Sequence, residues 1–137
     1  MSTDEWDEAL VADDEDTEAD DQPEPLFPNV EAWVTEWFGP MMRRQFTGAT
    51  CWCPEWWQHG EVISRLDALW RAWEALRLDA STGMSVWWRD HLDPHWSLLT
   101  DVDRSPMSLC SVDRGHKGEH EALPITPAPP GTWGTAG

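Results

Sequence analysis

Tryptophan is the feature that most constrains how this chain can fold. The sequence holds 12 tryptophans among 137 residues, and ten of them lie between residues 26 and 112. A buried indole removes about 150–250 Å² from water, which compensates for the small core that a short chain can build. We therefore predict a single domain over residues 26–112, with most of its tryptophans in the core.

The charge distribution separates this domain from two tails. Residues 1–25 carry twelve carboxylates and no lysine or arginine, and large apolar residues are too sparse there to offset the entropy of ordering. Residues 113–137 contain a proline-rich run, which favours an extended chain without internal hydrogen bonds. We predict that both tails are disordered, the first acidic and the second rich in proline and glycine.

The formal net charge of −17 disfavours two classes of partner. Phosphate backbones and anionic membrane surfaces repel such a chain, so direct binding to nucleic acid or to a membrane is not expected. No apolar run reaches the roughly 18 residues of a membrane span, and the acidic start is unlike the positively charged start of a secretory signal. We predict a cytoplasmic protein with reduced cysteines.

Helical periodicity predicts an all-α bundle of three or four helices. Apolar residues recur at spacings of three and four over residues 30–41 and again over residues 61–78. Asn29 is a plausible N-cap for the first helix. Gly39-Pro40 should end or kink it, because proline lacks an amide hydrogen.

The third quarter of the chain is predicted to contain two shorter helices. The first should cover residues 85–92 and end at Asp93-Pro94, where a fourth helix would open and continue through Leu99. Residues 107–110 would form a short edge strand.

Cysteine and histidine supply the candidate metal ligands. We single out Cys53, His59, His91 and His95 for a zinc site, because thiolate and imidazole ligands suit that ion. The spacing of Cys51 and Cys53 is tighter than that of a usual zinc knuckle, so buried thiols and hydrogen-bonded imidazoles, without any cofactor, are the simpler interpretation. A Cys/His-dependent enzyme is an alternative on the same residues, although no motif for a phosphate loop, nucleophile elbow or zinc protease is present.

Adjacent tryptophans predict an exposed aromatic surface. Neighbours in a helix point about 100° apart, so Trp56-Trp57 and Trp87-Trp88 should each leave one ring near the surface. Arg89 follows the second pair, and tryptophan and arginine are enriched at binding hot spots. We expect a non-catalytic protein-interaction module with a protein partner. A further alternative places function in the acidic tail, which would mimic nucleic acid in a partner's basic groove.

Several tryptophan-rich strings resemble one known family. They are Val30-Glu31-Ala32-Trp33-Val34, Trp52-Cys53-Pro54-Glu55-Trp56-Trp57, Leu69-Trp70-Arg71-Ala72-Trp73-Glu74 and Gly83-Met84-Ser85-Val86-Trp87-Trp88-Arg89-Asp90-His91. Over residues 26–112 the chain resembles the actinobacterial domain of unknown function numbered 4913. The resemblance implies an accessory role in a plasmid, conjugative element or phage of a high-G+C actinobacterium, and it transfers no catalytic residue.

Overall fold

The computed structural model of the protein describes residues 23–134. Within that range the chain forms three helices joined by loops and turns, with two isolated bridges and no strand. Helix α1 comprises Val30–Trp33, a π-helical stretch Val34–Phe38 and Gly39–Met41. A 3-10 turn, Trp56–Gln58, precedes helix α2, which is Gly60–Leu76. Helix α3 comprises Gly83–Val86, a π-helical stretch Trp87–Leu92 and Asp93–Leu99. The prediction that this domain is helical is therefore confirmed.

Helix α1 begins at the residue that the sequence predicts. Asn29 has an extended backbone, and its side-chain oxygen accepts a hydrogen bond from the Ala32 amide at 2.8 Å. This bond satisfies one of the amides that a helix start leaves free, which confirms the predicted N-cap. The apolar face of α1 buries Trp33, Val34 and Phe38.

Both α1 and α3 continue through a proline. In each helix the π-helical stretch ends two residues before the proline, at Phe38 before Pro40 and at Leu92 before Pro94. In a regular helix the proline ring clashes with the carbonyl four residues earlier. We attribute the continuity to the wider π turn, which changes the position of that carbonyl. The predicted start of a separate fourth helix at Pro94 is therefore wrong, because α3 is a single helix.

Helix α2 supplies the largest part of the core. Its apolar residues fall on one face at spacings of three and four, as the periodicity predicts. The buried members of this face are Val62, Leu66, Leu69, Trp70 and Trp73. Each large side chain covered in this way contributes roughly 1.5–3 kcal/mol relative to exposure.

Trp33 occupies the centre of the core, where all three helices meet. Its ring centroid lies 4.9 Å from that of Phe38 and 6.1 Å from those of Trp73 and Trp87, within the range of favourable aromatic pairs. Trp87 is fully buried, and its Nε1 donates a hydrogen bond to the Leu69 carbonyl at 2.9 Å. The indoles thus join α1, α2 and α3 directly.

After α3 the chain packs against the loop that precedes the 3-10 turn. The Cys51 amide donates to the Thr100 carbonyl at 2.8 Å. Met107 is fully buried, and its Sδ lies 3.4 Å from the Cys53 amide nitrogen that donates to it. Residues 106–109 form turns, so the predicted edge strand at 107–110 is wrong.

Most of the predicted C-terminal tail lies within the described residues, whereas most of the predicted N-terminal tail does not. Residues 1–22 of the acidic tail lie outside the described residues. In the C-terminal region, residues 121–134 are exposed throughout, whereas His116 is half-buried. In the described part of the chain, no helix combines the length and the apolar character needed to cross a membrane.

Candidate metal centre and aromatic surface

Two cysteines and two histidines from distant parts of the sequence converge in the folded chain. The ligand atoms of Cys53, His59, Cys110 and His116 all lie within 4.8 Å of one another. The first three side chains are buried, at 0%, 2% and 2% exposure, and His116 is half-buried. Within residues 23–134, this is the group of cysteine, histidine and acidic side chains that lies close enough together to hold a metal ion.

The first pair is positioned by the 3-10 turn. Cys53 precedes the turn and His59 follows it, directly before the first residue of α2. The His59 amide donates to the Trp56 carbonyl at 3.1 Å, which closes the turn. Because the chain reverses here, a cysteine and a histidine six positions apart lie side by side.

The second pair is positioned by a tight turn after α3. The backbones of Ser111 and Gly115 pair through N–H···O bonds of 3.3 and 2.8 Å. Gly115 has a φ of +79°, a left-handed conformation that glycine adopts without the steric cost of a Cβ. The turn brings His116 back to Cys110.

Three sulfur–nitrogen distances within the cluster are close to those of a tetrahedral metal site. Cys53 Sγ lies 3.3 Å from His116 Nδ1, and Cys110 Sγ lies 3.6 Å from both His59 Nε2 and His116 Nδ1. Zinc bonds of about 2.3 Å to sulfur and about 2.0–2.1 Å to nitrogen place neighbouring sulfur and nitrogen ligands about 3.6 Å apart in a tetrahedron. The three measured separations lie close to that value.

Cys110 Sγ lies among several polar groups. It faces a nitrogen of His59, a nitrogen of His116 and, at 3.5 Å, the Gly118 carbonyl. It also accepts a hydrogen bond from the Lys117 amide at 3.3 Å, a contact that is stronger for a thiolate than for a thiol. These contacts fit a hydrogen-bonded thiol when both facing imidazole nitrogens carry a proton, and they also fit a thiolate that shares a cation with the two imidazoles.

Burial controls the protonation of Cys53 and His59 when no cation is bound. Burial, assisted by the neighbouring Cys110, raises the pKa of the Cys53 thiol to about 11. Burial also lowers the pKa of His59; His116 adds to that decrease and Glu119 opposes it. The imidazole is thus neutral, as metal binding requires. The thiol would lose its proton to a coordinated divalent cation.

The structure brings together two of the four predicted metal ligands. Cys53 and His59 belong to the cluster, whereas His91 and His95 lie on α3. His95 Nδ1 lies 2.8 Å from a guanidinium nitrogen of Arg65, which can only donate. His95 Nδ1 therefore accepts a hydrogen bond from a positively charged group, and that charge would repel a metal ion.

Two members of the cluster lie outside the four residues singled out from the sequence: Cys110, a candidate that was not selected, and His116, which was not considered. The two pairs share one spacing, Cys53-x5-His59 and Cys110-x5-His116, and this repeated spacing is the signal that would have found them. His116 also lies beyond residue 112, in the region where we expected a tail. Cys51, the other cysteine of the C-x-C pair, is buried but is not part of the cluster.

The first pair of adjacent tryptophans spans the boundary between core and surface. Trp56 is 8% exposed, whereas Trp57 is 53% exposed. Trp57 lines a surface depression of about 450 Å³ together with Trp56, Val30, Glu31 and Ile63. Ile63 is 37% exposed although it belongs to α2, so the helix contributes an apolar side chain to this surface as well as to the core. We call these five residues the Trp57 surface.

A smaller apolar depression adjoins the Trp57 surface, because Trp56 lines both. It has a volume of about 170 Å³ and includes Trp52 and Trp96 in its wall. Their ring centroids lie 5.6 Å apart, and both rings are half-buried. Aromatic side chains therefore form a continuous apolar area on this side of the domain.

The second pair of adjacent tryptophans is packed more deeply. Trp87 is fully buried, and Trp88 is half-buried against the core with its ring centroid 5.4 Å away. The exposed Arg89 donates to both carboxylate oxygens of Asp90, at 2.7 and 3.0 Å. Its guanidinium charge is thus engaged within the chain, and the larger exposed apolar area belongs to the Trp57 surface.

Comparison with known proteins identifies the family and gives no activity. No curated protein and no solved structure matches the chain. A family model described as a domain of unknown function, DUF4913, matches residues 27–129, which include all four members of the Cys/His cluster. Since the match covers most of the chain, the protein belongs to the DUF4913 family.

Proposed function

We propose that this protein is a non-catalytic interaction module that binds an apolar segment of a protein partner on the Trp57 surface. The observation that carries the proposal is the 53% exposure of Trp57 beside the exposed Ile63, whereas the other described tryptophans of the helical domain are buried or half-buried. Leaving an indole in water forgoes the stabilisation that its burial would supply. A partner that covers this ring would recover that stabilisation.

The chemistry of the Trp57 surface suits binding rather than catalysis. Four of its five residues are apolar, and the fifth is Glu31. One carboxylate without a neighbouring nucleophile or base in the same depression offers no pair for acid–base or nucleophilic chemistry. Tryptophan at the centre of an apolar patch is instead typical of interface hot spots.

Charge indicates which kind of partner would fit. Glu31 lies at the depression and the chain has a net charge of −17, so a basic partner would be attracted and an acidic one repelled. We therefore propose a partner segment with an apolar side chain for the depression and lysine or arginine beside it. The family resemblance leads us to propose that this partner belongs to the cytoplasm of an actinobacterium that carries a mobile element.

The test is a capture experiment with three full-length baits in a nuclease-treated actinobacterial lysate. The baits are the unchanged chain, Trp57→Ala and Trp133→Ala. Trp133 is a matched control because it is also an exposed tryptophan, at 84%, but lies in the C-terminal region. We expect the unchanged chain and Trp133→Ala to retain the same protein, and Trp57→Ala to retain at least tenfold less of it. Added salt should weaken this binding.

Three results would contradict the proposal. A protein retained equally by all three baits would not use Trp57, and one lost only from Trp133→Ala would bind the C-terminal region. Retention of no protein by the unchanged chain would remove the basis for an interaction module. Full-length baits are needed because a chain ending at residue 112 would lack His116 and its contacts with Cys53 and Cys110.

A further inference from the structure

We infer that Cys53, His59, Cys110 and His116 bind one zinc ion in a closed, tetrahedral, structural site. This inference is independent of the proposed partner binding, since Trp57 is not among the four residues. It rests on their mutual proximity within 4.8 Å and on sulfur–nitrogen separations of 3.3–3.6 Å. Those separations correspond to the edges of a zinc tetrahedron.

The ligand types select zinc among the common metal ions. Two thiolates and two neutral imidazoles form the Cys2His2 set that zinc binds in structural sites. Calcium and magnesium require oxygen ligands, and the cluster has none among its four members. Most iron–sulfur clusters use four thiolates, and a Rieske centre holds its two cysteines on one iron and its two histidines on the other. Here each cysteine sulfur lies 3.3–3.6 Å from a histidine nitrogen, which fits a single ion.

A structural rather than catalytic role follows from the number and burial of the ligands. Four protein ligands fill a tetrahedron, so no position remains for water or substrate. Cys53, His59 and Cys110 are at most 2% exposed, which also restricts the access of a substrate. The amide of Lys117, donating to Cys110 Sγ at 3.3 Å, would act as an outer-shell donor that stabilises the thiolate.

The zinc ion would connect two segments that are far apart in sequence. Cys53 and His59 lie before α2, and Cys110 and His116 lie after α3. The contacts between the pairs span 51 residues for Cys110 with His59 and 63 residues for Cys53 with His116. The metal would thus fix the segment after α3 to the start of α2.

The first measurement is metal content and cobalt spectroscopy on the full chain. The protein purified from zinc-supplemented cells should contain one zinc ion per chain by elemental analysis. After removal of zinc, added Co²⁺ should give the intense visible bands of a tetrahedral ion and a thiolate-to-metal charge-transfer band, and zinc should displace it. These readouts use the unchanged chain, so they do not depend on whether a variant folds.

Variants assign the ligands. Cys110→Ser and His116→Asn should lower the affinity for Co²⁺ at least a hundredfold, and Cys110→Ser should also reduce the charge-transfer band by about half. Cys51→Ser is the matched control for a buried cysteine, and His95→Asn is the control for a histidine outside the cluster. Both controls should bind one Co²⁺ with an unchanged spectrum.

The outcomes separate this inference from its alternatives. An unchanged chain that neither carries zinc nor gives a tetrahedral cobalt spectrum would overturn it, and the four side chains would then be hydrogen-bonded only. Loss of the spectrum in His95→Asn but not in His116→Asn would favour the ligand set predicted from the sequence. Trp57→Ala should keep its metal, so failure of the partner proposal and failure of the zinc site are distinguishable.

Discussion

Glu74 shows how one half-buried carboxylate holds the start of the described chain against α2. Its two oxygens accept hydrogen bonds from the amides of Leu26 and Phe27, at 2.9 and 3.0 Å. The same carboxylate accepts from Trp70 Nε1 at 3.0 Å and from Arg77 Nε at 2.9 Å. Four donors converge on one side chain of α2, so the segment that enters α1 is fastened to α2 by charge-assisted hydrogen bonds.

We predict that Glu74→Gln destabilises the fold by about 1–3 kcal/mol at pH 7, because hydrogen bonds to a charged group are weakened. Burial alone would raise the pKa of Glu74, but the four hydrogen bonds outweigh burial and lower it. The stabilisation is therefore present above the unfolded pKa of about 4.3 and is lost as the pH falls through the lower folded value. Urea denaturation from pH 7 downward measures this.

The control for that experiment is Glu36→Gln, which changes an exposed carboxylate of α1. Its free energy of unfolding should stay within about 0.5 kcal/mol of the unchanged chain. If Glu74→Gln behaves like this control at pH 7, the hydrogen bonds to Glu74 contribute no net stability. If its deficit persists unchanged at low pH, the carboxylate charge is not the cause.

At the scale of elements, the junction between α2 and α3 depends on one glycine. Gly83 is the first residue of α3 and is buried. A Cβ added there would lie 1.9 Å from the Leu76 carbonyl oxygen, which is backbone and cannot move without disturbing the end of α2. The close approach of the two helices therefore requires a residue without a side chain at this position.

Gly83→Ala should destabilise the protein by roughly 1–3 kcal/mol or more, as expected for overpacking against backbone. Gly60→Ala is the matched control, because Gly60 begins α2 and a Cβ there would meet no atom within 4 Å. Alanine favours a helix over glycine by up to about 1 kcal/mol, so the control should be neutral or stabilising. Equal melting temperatures for the two variants would show that α3 can shift without cost.

The sequence predicted some properties of these helices but not others. The N-cap at Asn29 follows from residue type and position, and the buried face of α2 follows from apolar spacing. The sequence did not predict that α3 continues through Pro94, because the local rule that proline ends a helix assumes a regular α turn. The π-helical stretch before it begins at Trp87, whose indole donates a hydrogen bond to the Leu69 carbonyl of α2.

At the scale of the whole molecule, the Cys/His cluster determines how far the folded domain extends. His116 contacts both cysteines of the cluster, and the Lys117 amide contacts Cys110 Sγ. The chain is therefore tied to the helical body up to about residue 117, five residues beyond the end that composition indicated. Without a bound metal, this segment would be held by the sulfur contacts, by the edge-to-face contact of His116 with His59 and by the Gly115 turn.

We predict that zinc slows tryptic cleavage after Arg114 and Lys117 at least tenfold. Both side chains are exposed, but cleavage requires the backbone to open locally, and the metal would oppose that opening. The measurement is mass spectrometry of limited digests with zinc and with a chelator. Cleavage after Arg44, in the loop after α1, is the internal control and should change much less.

Equal cleavage rates after Arg114 with and without zinc would mean that metal binding does not order this segment. A similar increase at Arg44 on chelation would instead indicate global unfolding of the domain. Cys51→Ser should behave like the unchanged chain, whereas Cys110→Ser should be cleaved rapidly at Lys117 whether or not zinc is added.

The sequence by itself determined the helical class, the start of α1 and the apolar face of α2, because these depend on residues within one or two turns. Only the tertiary structure decided that Trp56 is buried while Trp57 is exposed, since the direction of each indole depends on how the 3-10 turn packs against α1 and α2. It likewise decided which histidines join Cys53. His91 and His95 are held on α3, whereas Cys110 and His116 reach the cluster because the chain after α3 returns to the start of α2. The repeated Cys-x5-His spacing marks the two pairs, but their convergence across more than fifty residues depends on the packing of the helices.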